Sequence, residues 1–301
     1  MDRRAWTLLW GLALVWGGSY LLIKIGLDGG FEPVFLVFAR LALAAVVLGV
    51  VAARRNALAP LRGRLGPLVV LGLIQVAAPF VLITTGEQHI ASSLTGILVA
   101  SAPIWTALLV MGGIGGEARL DAWSLTGIGF GLVGVAMLFG VDLTGSGDEL
   151  AGGLMVVLAG LGYGGGAIYL RRHFLGVPPV GVAAGSMAVS AVLTLPWAAF
   201  QLPSAAPDAG AIAAVAVLGV LGTGLAFLIY YTLIAAVGAA RAGIVAYLAP
   251  GFALAYGAVF LEEPVTAGGV GGLVLILAGC WLAAEGRAPW QPRPVPAAGT
   301  A

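Results

Sequence analysis

Two basic side chains lie inside long apolar stretches of the sequence. Lys24 and Arg40 are each surrounded by apolar residues, and Glu87 ends a third such stretch. A charge at the centre of a bilayer costs about 2.5 to 3.5 kcal/mol, so such a residue usually faces a cavity or a partner. Lys24 is only about 5 Å from the end of its stretch, so snorkelling to the surface is the alternative there. We hypothesise that Lys24 and Arg40 attract a carboxylate-bearing molecule, with Glu87 as a candidate partner of Arg40.

Two pairs of glycine and proline recur with the same spacing. Pro103 follows Gly96 by seven residues, and Pro250 follows Gly243 by seven residues, each pair within an apolar stretch. Proline frees a backbone carbonyl and bends a helix, and paired interruptions of membrane helices are typical of binding sites and hinges. We predict two broken helices that face each other across a central cavity. The alternative is a packing kink whose free carbonyl is satisfied by a neighbouring helix.

Aromatic residues in the middle of apolar stretches are candidates for the wall of a pocket, because small-molecule sites are mostly apolar with a few polar groups. The candidates are Trp16, Trp105, Tyr163, Tyr230, Tyr231 and Tyr247. Each of them, taken alone, is more often simple packing. Trp16 and Tyr163 stand apart because each precedes a pair of glycines.

The sequence contains no motif for a metal, a nucleotide or a covalent reaction. Neither histidine, His89 or His173, belongs to an H-E-x-x-H arrangement, and Cys280 is the single cysteine. The glycine-rich run at 162–166 lacks the Gly-Lys-Ser/Thr ending of a phosphate-binding loop. We therefore expect no enzyme activity, no cofactor and no metal. A net charge of +1 gives no reason to expect nucleic-acid binding.

The composition indicates which elements position these residues. Hydrophobic residues make up 60% of the 301 residues and charged residues only 9%, against roughly a quarter charged residues in soluble domains. A membrane helix needs about 20 mostly apolar residues. Ten stretches meet this requirement, and we interpret the first as a retained helix rather than a cleaved signal. They cover approximately 7–27, 34–52, 65–85, 90–111, 122–141, 150–170, 180–200, 210–233, 239–261 and 265–284.

The charged residues between these stretches separate by sign. Short cytoplasmic loops retain Lys and Arg, so we predict that both termini and the basic loops are cytoplasmic. Twelve of the fourteen basic residues then lie inside, namely Arg3, Arg4, Arg54, Arg55, Arg62, Arg64, Arg119, Arg171, Arg172, Arg241, Arg287 and Arg293. The opposite loops hold Asp28, Glu32, Glu87, Asp142, Asp148, Glu149, Asp208, Glu262 and Glu263.

The two halves of the chain resemble each other at an offset of 147 residues. Trp16 falls on Tyr163, Gly17-Gly18 on Gly164-Gly165, Lys24 on Arg171, Phe80 on Phe227, Gly96 on Gly243 and Pro103 on Pro250. Such a constant offset indicates a duplication. We predict one repeat at 1–145, a second at 146–286, and a disordered cytoplasmic tail at 287–301. Because five crossings are an odd number, the repeats are inverted, and the fold is an all-α membrane protein of ten helices around a central cavity.

These motifs resemble the EamA-like branch of the drug/metabolite transporter superfamily over about residues 10–284. The resemblance rests on Trp16-Gly17-Gly18-Ser19 followed by Lys24, on Arg40, on Ser92-Ser93-Leu94-Thr95-Gly96 with Pro103, and on Gly243 with Pro250. Glu117 and Glu263 resemble the acid that opens each closing segment in this family. The resemblance implies a bundle around a substrate cavity and, commonly, export of amino acids or other metabolites by secondary transport.

We therefore predict a multi-pass transporter of a bacterial cytoplasmic membrane that moves small metabolites by alternating access, with export of amino acids or related carboxylate-bearing solutes foremost. The expected partners are this substrate and membrane lipids, and the chain is a monomer or a homodimer. The alternatives are a channel, a non-transporting membrane receptor and an exporter of hydrophobic drugs. Because the acids cluster in loops and only Glu87 is near enough to carry a proton, facilitated diffusion or a gradient supplied by the substrate itself is favoured over proton coupling.

Overall fold

The computed structural model of the chain describes residues 3–114, 122–141, 147–237 and 242–285. These ranges contain helices, short connections and no strand. The helices are α1 (Arg3–Asp28), α2 (Pro33–Arg54), α3 (Leu65–Gly86), α4 (Ser92–Met111), α5 (Ala122–Val141), α6 (Gly147–Phe174), α7 (Pro179–Phe200), α8 (Ala209–Val237), α9 (Val245–Phe260) and α10 (Ala267–Glu285). The predicted tail at 287–301 lies outside the described residues, as do Glu117, Arg119, Asp142 and Arg241.

The helices follow from the apolar composition, because a helix pairs every backbone group within one segment. Seven of the described helices, α1 to α4 and α6 to α8, are long and apolar enough to cross a membrane, and α5, α9 and α10 add shorter apolar stretches. The prediction of an all-α membrane protein is therefore confirmed for the described residues. One boundary differs from the prediction, since α9 begins at Val245 after a turn at Gly243 and Ile244.

Local sequence signals set several helix starts. Pro33 and Pro179 open α2 and α7, where the missing N–H is no loss because the first amides of a helix have no partner within it. Asp208 caps α8, and its Oδ1 accepts the N–H of Ala211 at 2.7 Å. These local signals thus determine where the three helices begin.

Two helices contain a widened, π-helical segment. The segment in α3 is Gly72–Ala77 and the segment in α8 is Leu218–Leu225. Adding the offset of 147 to Gly72 gives Gly219, which lies inside the second segment. Such segments are frequent at functional sites because they leave backbone carbonyls without their usual partner. In α8 the hydroxyl of Thr223 donates to the carbonyl of Leu218 at 2.9 Å and so satisfies one of them.

The helices of the two halves pack in reciprocal pairs. Helix α1 packs on α9 as α6 packs on α4, and α2 packs on α8 as α7 packs on α3. Two further pairs, α2 with α7 and α5 with α10, join equivalent helices of the two halves. This is the pattern of contacts expected of two related halves, which stays a prediction. The centre of the bundle, where the halves meet, is therefore the place to look for a site.

Glycines set the distance between α5 and α10. A Cβ added at Gly279 would lie 2.4 Å from the backbone nitrogen of Gly131, and one added at Gly134 would lie 2.9 Å from the carbonyl oxygen of Gly272. Small residues let membrane helices approach this closely, where dispersion contacts replace a hydrophobic driving force. These glycine faces are thus used within the chain.

Candidate functional site

A cavity of about 650 Å³ lies at the centre of the bundle, and residues of α1 to α6, α8 and α9 line it. Pockets for small molecules usually measure roughly 300 to 1,000 Å³. The wall is mainly apolar, with a small number of polar groups from several helices. The volume and the mixed wall suit a metabolite-sized ligand.

Most of the residues proposed from the sequence line this cavity. The lining includes Trp16, Arg40, Tyr163 and Tyr247, together with the four hinge candidates Gly96, Pro103, Gly243 and Pro250. The structure does not bring Lys24, Glu87, Trp105 or Tyr231 into the lining.

Arg40 is the buried cation of the cavity wall, with 4% of its surface exposed. Its Nε–H donates to Oγ1 of Thr223 at 3.0 Å, and its guanidinium carbon lies 4.0 Å from the ring centroid of Phe80. The hydrogen bond and the ring together orient the planar guanidinium. Among the described residues no carboxylate lies within ion-pairing distance, so the expected contact with Glu87 is not formed. The two terminal amino groups of Arg40 are left for a ligand.

An aromatic cluster forms one wall of the cavity. The Trp16 ring lies 5.7 Å from Phe227 and 5.0 Å from Tyr230, and Phe80 lies 5.9 Å from Phe227 in an edge-to-face arrangement. Phe80 and Phe227 occupy equivalent positions at the offset of 147. That match was visible in the sequence, but neither phenylalanine was proposed as a site residue, because phenylalanine in an apolar stretch usually signals packing.

Polar residues that the sequence analysis overlooked complete the wall. Gln75 lies in the π-helical segment of α3, is 3% exposed, and has no hydrogen-bond partner for its Oε1 among the described residues. Ser19, Tyr20 and Thr106 also line the cavity. A polar side chain within an apolar stretch is the signal that could have identified Gln75. Its Oε1 is itself enclosed against Gly166 of α6, so Gln75 lines the cavity with other atoms of its side chain.

The two proline positions differ in local structure. Helix α4 is interrupted at Ala100 and Ser101, and Pro103 stands in the first turn of its second part. The interruption is satisfied locally, because the hydroxyl of Ser101 donates to Leu98 and the thiol of Cys280 lies 3.3 Å from the carbonyl oxygen of Ala100. In α9 the helix continues through Pro250 from Val245 onward. The interruption thus directly precedes Pro103 in α4, whereas in the other half it lies earlier, at the turn of Gly243 and Ile244 before α9, and the hinge role of these positions stays a prediction.

Each predicted residue outside the lining has a physical reason for its position. Lys24 pairs with Asp28 at 3.3 Å on the surface of α1. The indole N–H of Trp105 donates to the hydroxyl of Ser101 at 3.2 Å, which turns the ring toward α6. Tyr231 is buried in the core around Phe227. Glu87 directly follows the end of α3, in the connection to α4.

The two ends of the bundle differ in how they close off the cavity. At the end that carries Asp28, Glu87, Asp208 and Glu263, here called the acidic end, hydrogen bonds tie neighbouring segments together. At the opposite end, which carries Arg54, Arg64 and Arg171 and is here called the basic end, the lining includes the exposed Arg171. The cavity therefore reaches the basic end.

An all-α membrane bundle that encloses a metabolite-sized cavity between its halves, reached from one end, has the architecture of a membrane transport protein. The chain belongs to the EamA-like transporter family, whose match covers residues 4–140 and again residues 150–284. It is accordingly an integral, multi-pass membrane protein.

Relatives named as transporters cover most of the chain. The chain is 24% identical over 275 residues to the uncharacterized transporter YoaV of Bacillus subtilis (strain 168), and the match covers 90% of this chain and 93% of that protein. It is 29% identical over 259 residues to the uncharacterized inner membrane transporter YedA of Escherichia coli (strain K12), covering 83% and 80%. It is 27% identical over 261 residues to a probable terminal-alkyne amino-acid exporter of Streptantibioticus cattleyicolor, covering 85% and 86%.

A solved crystal structure has the same fold. The TM-score is 0.69, and the match covers 94% of this chain and 97% of that chain at 20% sequence identity. At this identity the likeness concerns the arrangement of helices alone.

Proposed function

We propose that the chain is a secondary transporter that exports carboxylate-bearing metabolites, amino acids foremost, across a bacterial cytoplasmic membrane by alternating access. The observation that carries the proposal is Arg40 in the wall of the central cavity. Its guanidinium is buried, oriented by Thr223 and Phe80, and has no carboxylate partner among the described residues. A buried cation is stable when a partner satisfies it, and a planar carboxylate matches the guanidinium fork.

The other walls suit the rest of an amino acid. The apolar and aromatic side of the cavity, with Trp16, Phe80 and Phe227, offers dispersion contacts to a side chain, and Tyr163 and Tyr230 add polar tips. The name of the relative from Streptantibioticus cattleyicolor, a probable amino-acid exporter, supports the same substrate class.

Alternating access follows from the proposed inverted repeats and topology. The reciprocal helix pairs and the two consecutive family matches support two related halves, and the separation of basic from acidic loops supports ten crossings with both termini in the cytoplasm. The cavity that reaches the basic end then corresponds to a state open to the cytoplasm, where an exporter loads its substrate.

Exchange in liposomes tests this function. The purified protein is reconstituted into liposomes that contain a mixture of amino acids and other small metabolites, and the solutes that exchange are identified by mass spectrometry. We expect selective, saturable exchange of carboxylate-bearing solutes. Arg40→Gln should raise the half-saturating concentration roughly 10- to 150-fold, because a hydrogen bond to a charged group contributes about 1.5 to 3 kcal/mol.

Lys24→Gln is the matched control, because Lys24 is also a base within a predicted span but lies outside the cavity lining. Its exchange should stay within twofold of the unmodified chain. Equal losses in both variants would remove Arg40 from the substrate site. Exchange that does not saturate would favour a channel, and movement of uncharged apolar compounds alone would favour the export of hydrophobic drugs.

A further inference from the structure

Glu87 is a fully buried carboxyl group that the proposed transport mechanism does not use. It follows α3 directly, outside the spans Leu65–Gly86 and Ser92–Met111, and 0% of its surface is exposed. Neither of its carboxyl oxygens accepts a hydrogen bond from any described residue. An ionised carboxylate in such a place is strongly unfavourable, and a buried acid without partners instead takes up a proton.

The charged groups around Glu87 come from three other elements. Glu263 lies between α9 and α10, Lys24 and Asp28 lie on α1, and Arg40 lies on α2. Burial and the negative charge of Glu263 raise the pKa of Glu87 well above its usual range, while Lys24 and Arg40 act in the opposite direction.

Other titratable groups near this end complete the surroundings. Tyr20 of α1 interacts electrostatically with Glu87, and His89 follows it by two residues. Helix α6 packs Gly152 against Gly86 and carries Asp148 and Glu149 in its first turn. Two acids, Glu263 and Asp28, and two bases, Lys24 and Arg40, act on Glu87, so its burial and not an excess of acids favours the neutral form.

Glu263 forms a latch at the acidic end of the bundle. Its Oε1 accepts the N–H of Ser92 at 2.7 Å, and its Oε2 accepts the N–H of Ser93 at 2.9 Å. These are the first amides of α4, where the positive end of the helix dipole favours a carboxylate. The N–H of Glu263 itself donates to the carbonyl of Gly257 at 3.1 Å. The latch thus joins the end of α9 to the start of α4 and closes the cavity on this side.

We propose that Glu87 is a proton-binding site that controls this latch: protonated Glu87 keeps the acidic end closed, and ionised Glu87 repels the Glu263 carboxylate from Ser92 and Ser93. The proton of Glu87 reaches the solution only when the acidic end opens, because Glu87 is fully buried and lies outside the cavity lining. Protons on that side therefore govern the opening of the outer mouth without crossing the membrane with the substrate. The consequence for transport rests on the proposed function, whereas the titration of the latch does not.

The direction of the pH effect follows from linkage. In the closed state the carboxyl group of Glu87 holds its proton more tightly than a solvated carboxyl group does in the open state. The closed state is therefore favoured at a pH below the ordinary pKa of a glutamic acid, and this preference is lost as the pH rises through the raised pKa. Between these two limits the ratio of open to closed molecules rises by up to about tenfold per pH unit.

Amide hydrogen exchange tests the proposal on the full-length protein in lipid nanodiscs. The amides of Ser92 and Ser93 are followed by mass spectrometry over a range of pH in the unmodified chain and in Glu87→Gln. The ratio of the two rates at each pH cancels the intrinsic pH dependence of exchange. We expect this ratio to rise by up to about tenfold per pH unit, because the neutral glutamine keeps the latch closed at every pH.

Glu262→Gln is the control, because Glu262 is an exposed neighbour that does not bond to Ser92 or Ser93. In this variant the amides of Ser92 and Ser93 should exchange at the same rates as in the unmodified chain at each pH. A ratio that stays constant with pH, or a Glu262→Gln variant that flattens the profile as strongly as Glu87→Gln, would overturn the proposal. The readout needs no substrate, so a failure of the proposed transport function leaves this test intact.

Discussion

The acidic and the basic ends of the bundle are built differently. At the acidic end, side chains from one segment accept backbone N–H groups of another: Glu263 from the start of α4, and Gln201 from Val34 at the start of α2. At the basic end Arg64 donates to the carbonyl oxygen of His173, and the cavity lining extends to the exposed Arg171. Hydrogen bonds can be broken and formed again at little net cost, because water replaces the lost partner. The comparison indicates that the acidic end is closed by a reversible latch.

Removing the latch should change the difference between the two ends most, because it opens the acidic end. Glu263→Ala removes two hydrogen bonds to a charged group, and each should favour the open acidic end by about 1.5 to 3 kcal/mol, or roughly 10- to 150-fold for each bond lost. A thiol introduced in the cavity by Thr106→Cys would report the change, as faster labelling by an impermeant reagent from the acidic side. Glu262→Ala is the control. Unchanged labelling in Glu263→Ala would show that other contacts close this end.

Widening a close helix contact at the acidic end should have the next largest effect. A Cβ at Gly86 would lie 2.8 Å from the carbonyl oxygen of Gly152, so Gly86→Val forces α3 and α6 apart at about 1 to 3 kcal/mol. Gly66→Val is a matched control on the same helix near the basic end, where a Cβ meets nothing within 4 Å. Thermal unfolding in detergent should show a lower midpoint for Gly86→Val alone. Similar midpoints would mean that α3 and α6 are free to separate.

Removing the charge at the basic mouth should have a smaller effect. Arg171→Ala should lower the initial exchange rate of an anionic solute a few-fold at low salt, because a positive mouth attracts anions. The difference should shrink as salt is added. Arg172→Ala is the control, since Arg172 is equally exposed but does not line the cavity. The same loss in both variants would indicate a general surface effect.

The smallest effect is expected at the surface ion pair of α1. Lys24→Ala removes its contact with Asp28, and exposed pairs of this kind contribute about 0 to 1 kcal/mol. The unfolding midpoint should therefore change by no more than a few degrees. A large loss of stability would mean that Lys24 neutralises the acids near Glu87 and is needed for the acidic end to close.

The apolar stretches were sufficient to predict the helical membrane fold, and the rarity of charge within them identified Arg40. Trp16 and Tyr163 were found because a duplication places them at equivalent positions beside glycines. These signals are local or periodic, so a single sequence contains them.

The rest depends on contacts between residues far apart in the chain. Glu263 meets Ser92 across 171 positions, and nothing in either loop indicates the other. The π-helical segments at Gly72–Ala77 and Leu218–Leu225 leave no clear mark, because an apolar stretch accepts either helical geometry. For the same reason the sequence does not show that α4 breaks before Pro103 while α9 continues through Pro250.

Labelling of the Thr106→Cys thiol in the otherwise unmodified chain tests the central claim most directly, because Thr106 lines the cavity and the native Cys280 is buried. An impermeant thiol reagent is applied to oriented vesicles from each side in turn, with and without a saturating amino acid. We predict rapid labelling from the side of the basic end and slow labelling from the side of the acidic end. The amino acid should protect the thiol from labelling, and Arg40→Gln should abolish this protection. Equal labelling from both sides, or protection that persists in Arg40→Gln, would contradict a carboxylate site that opens at one end at a time.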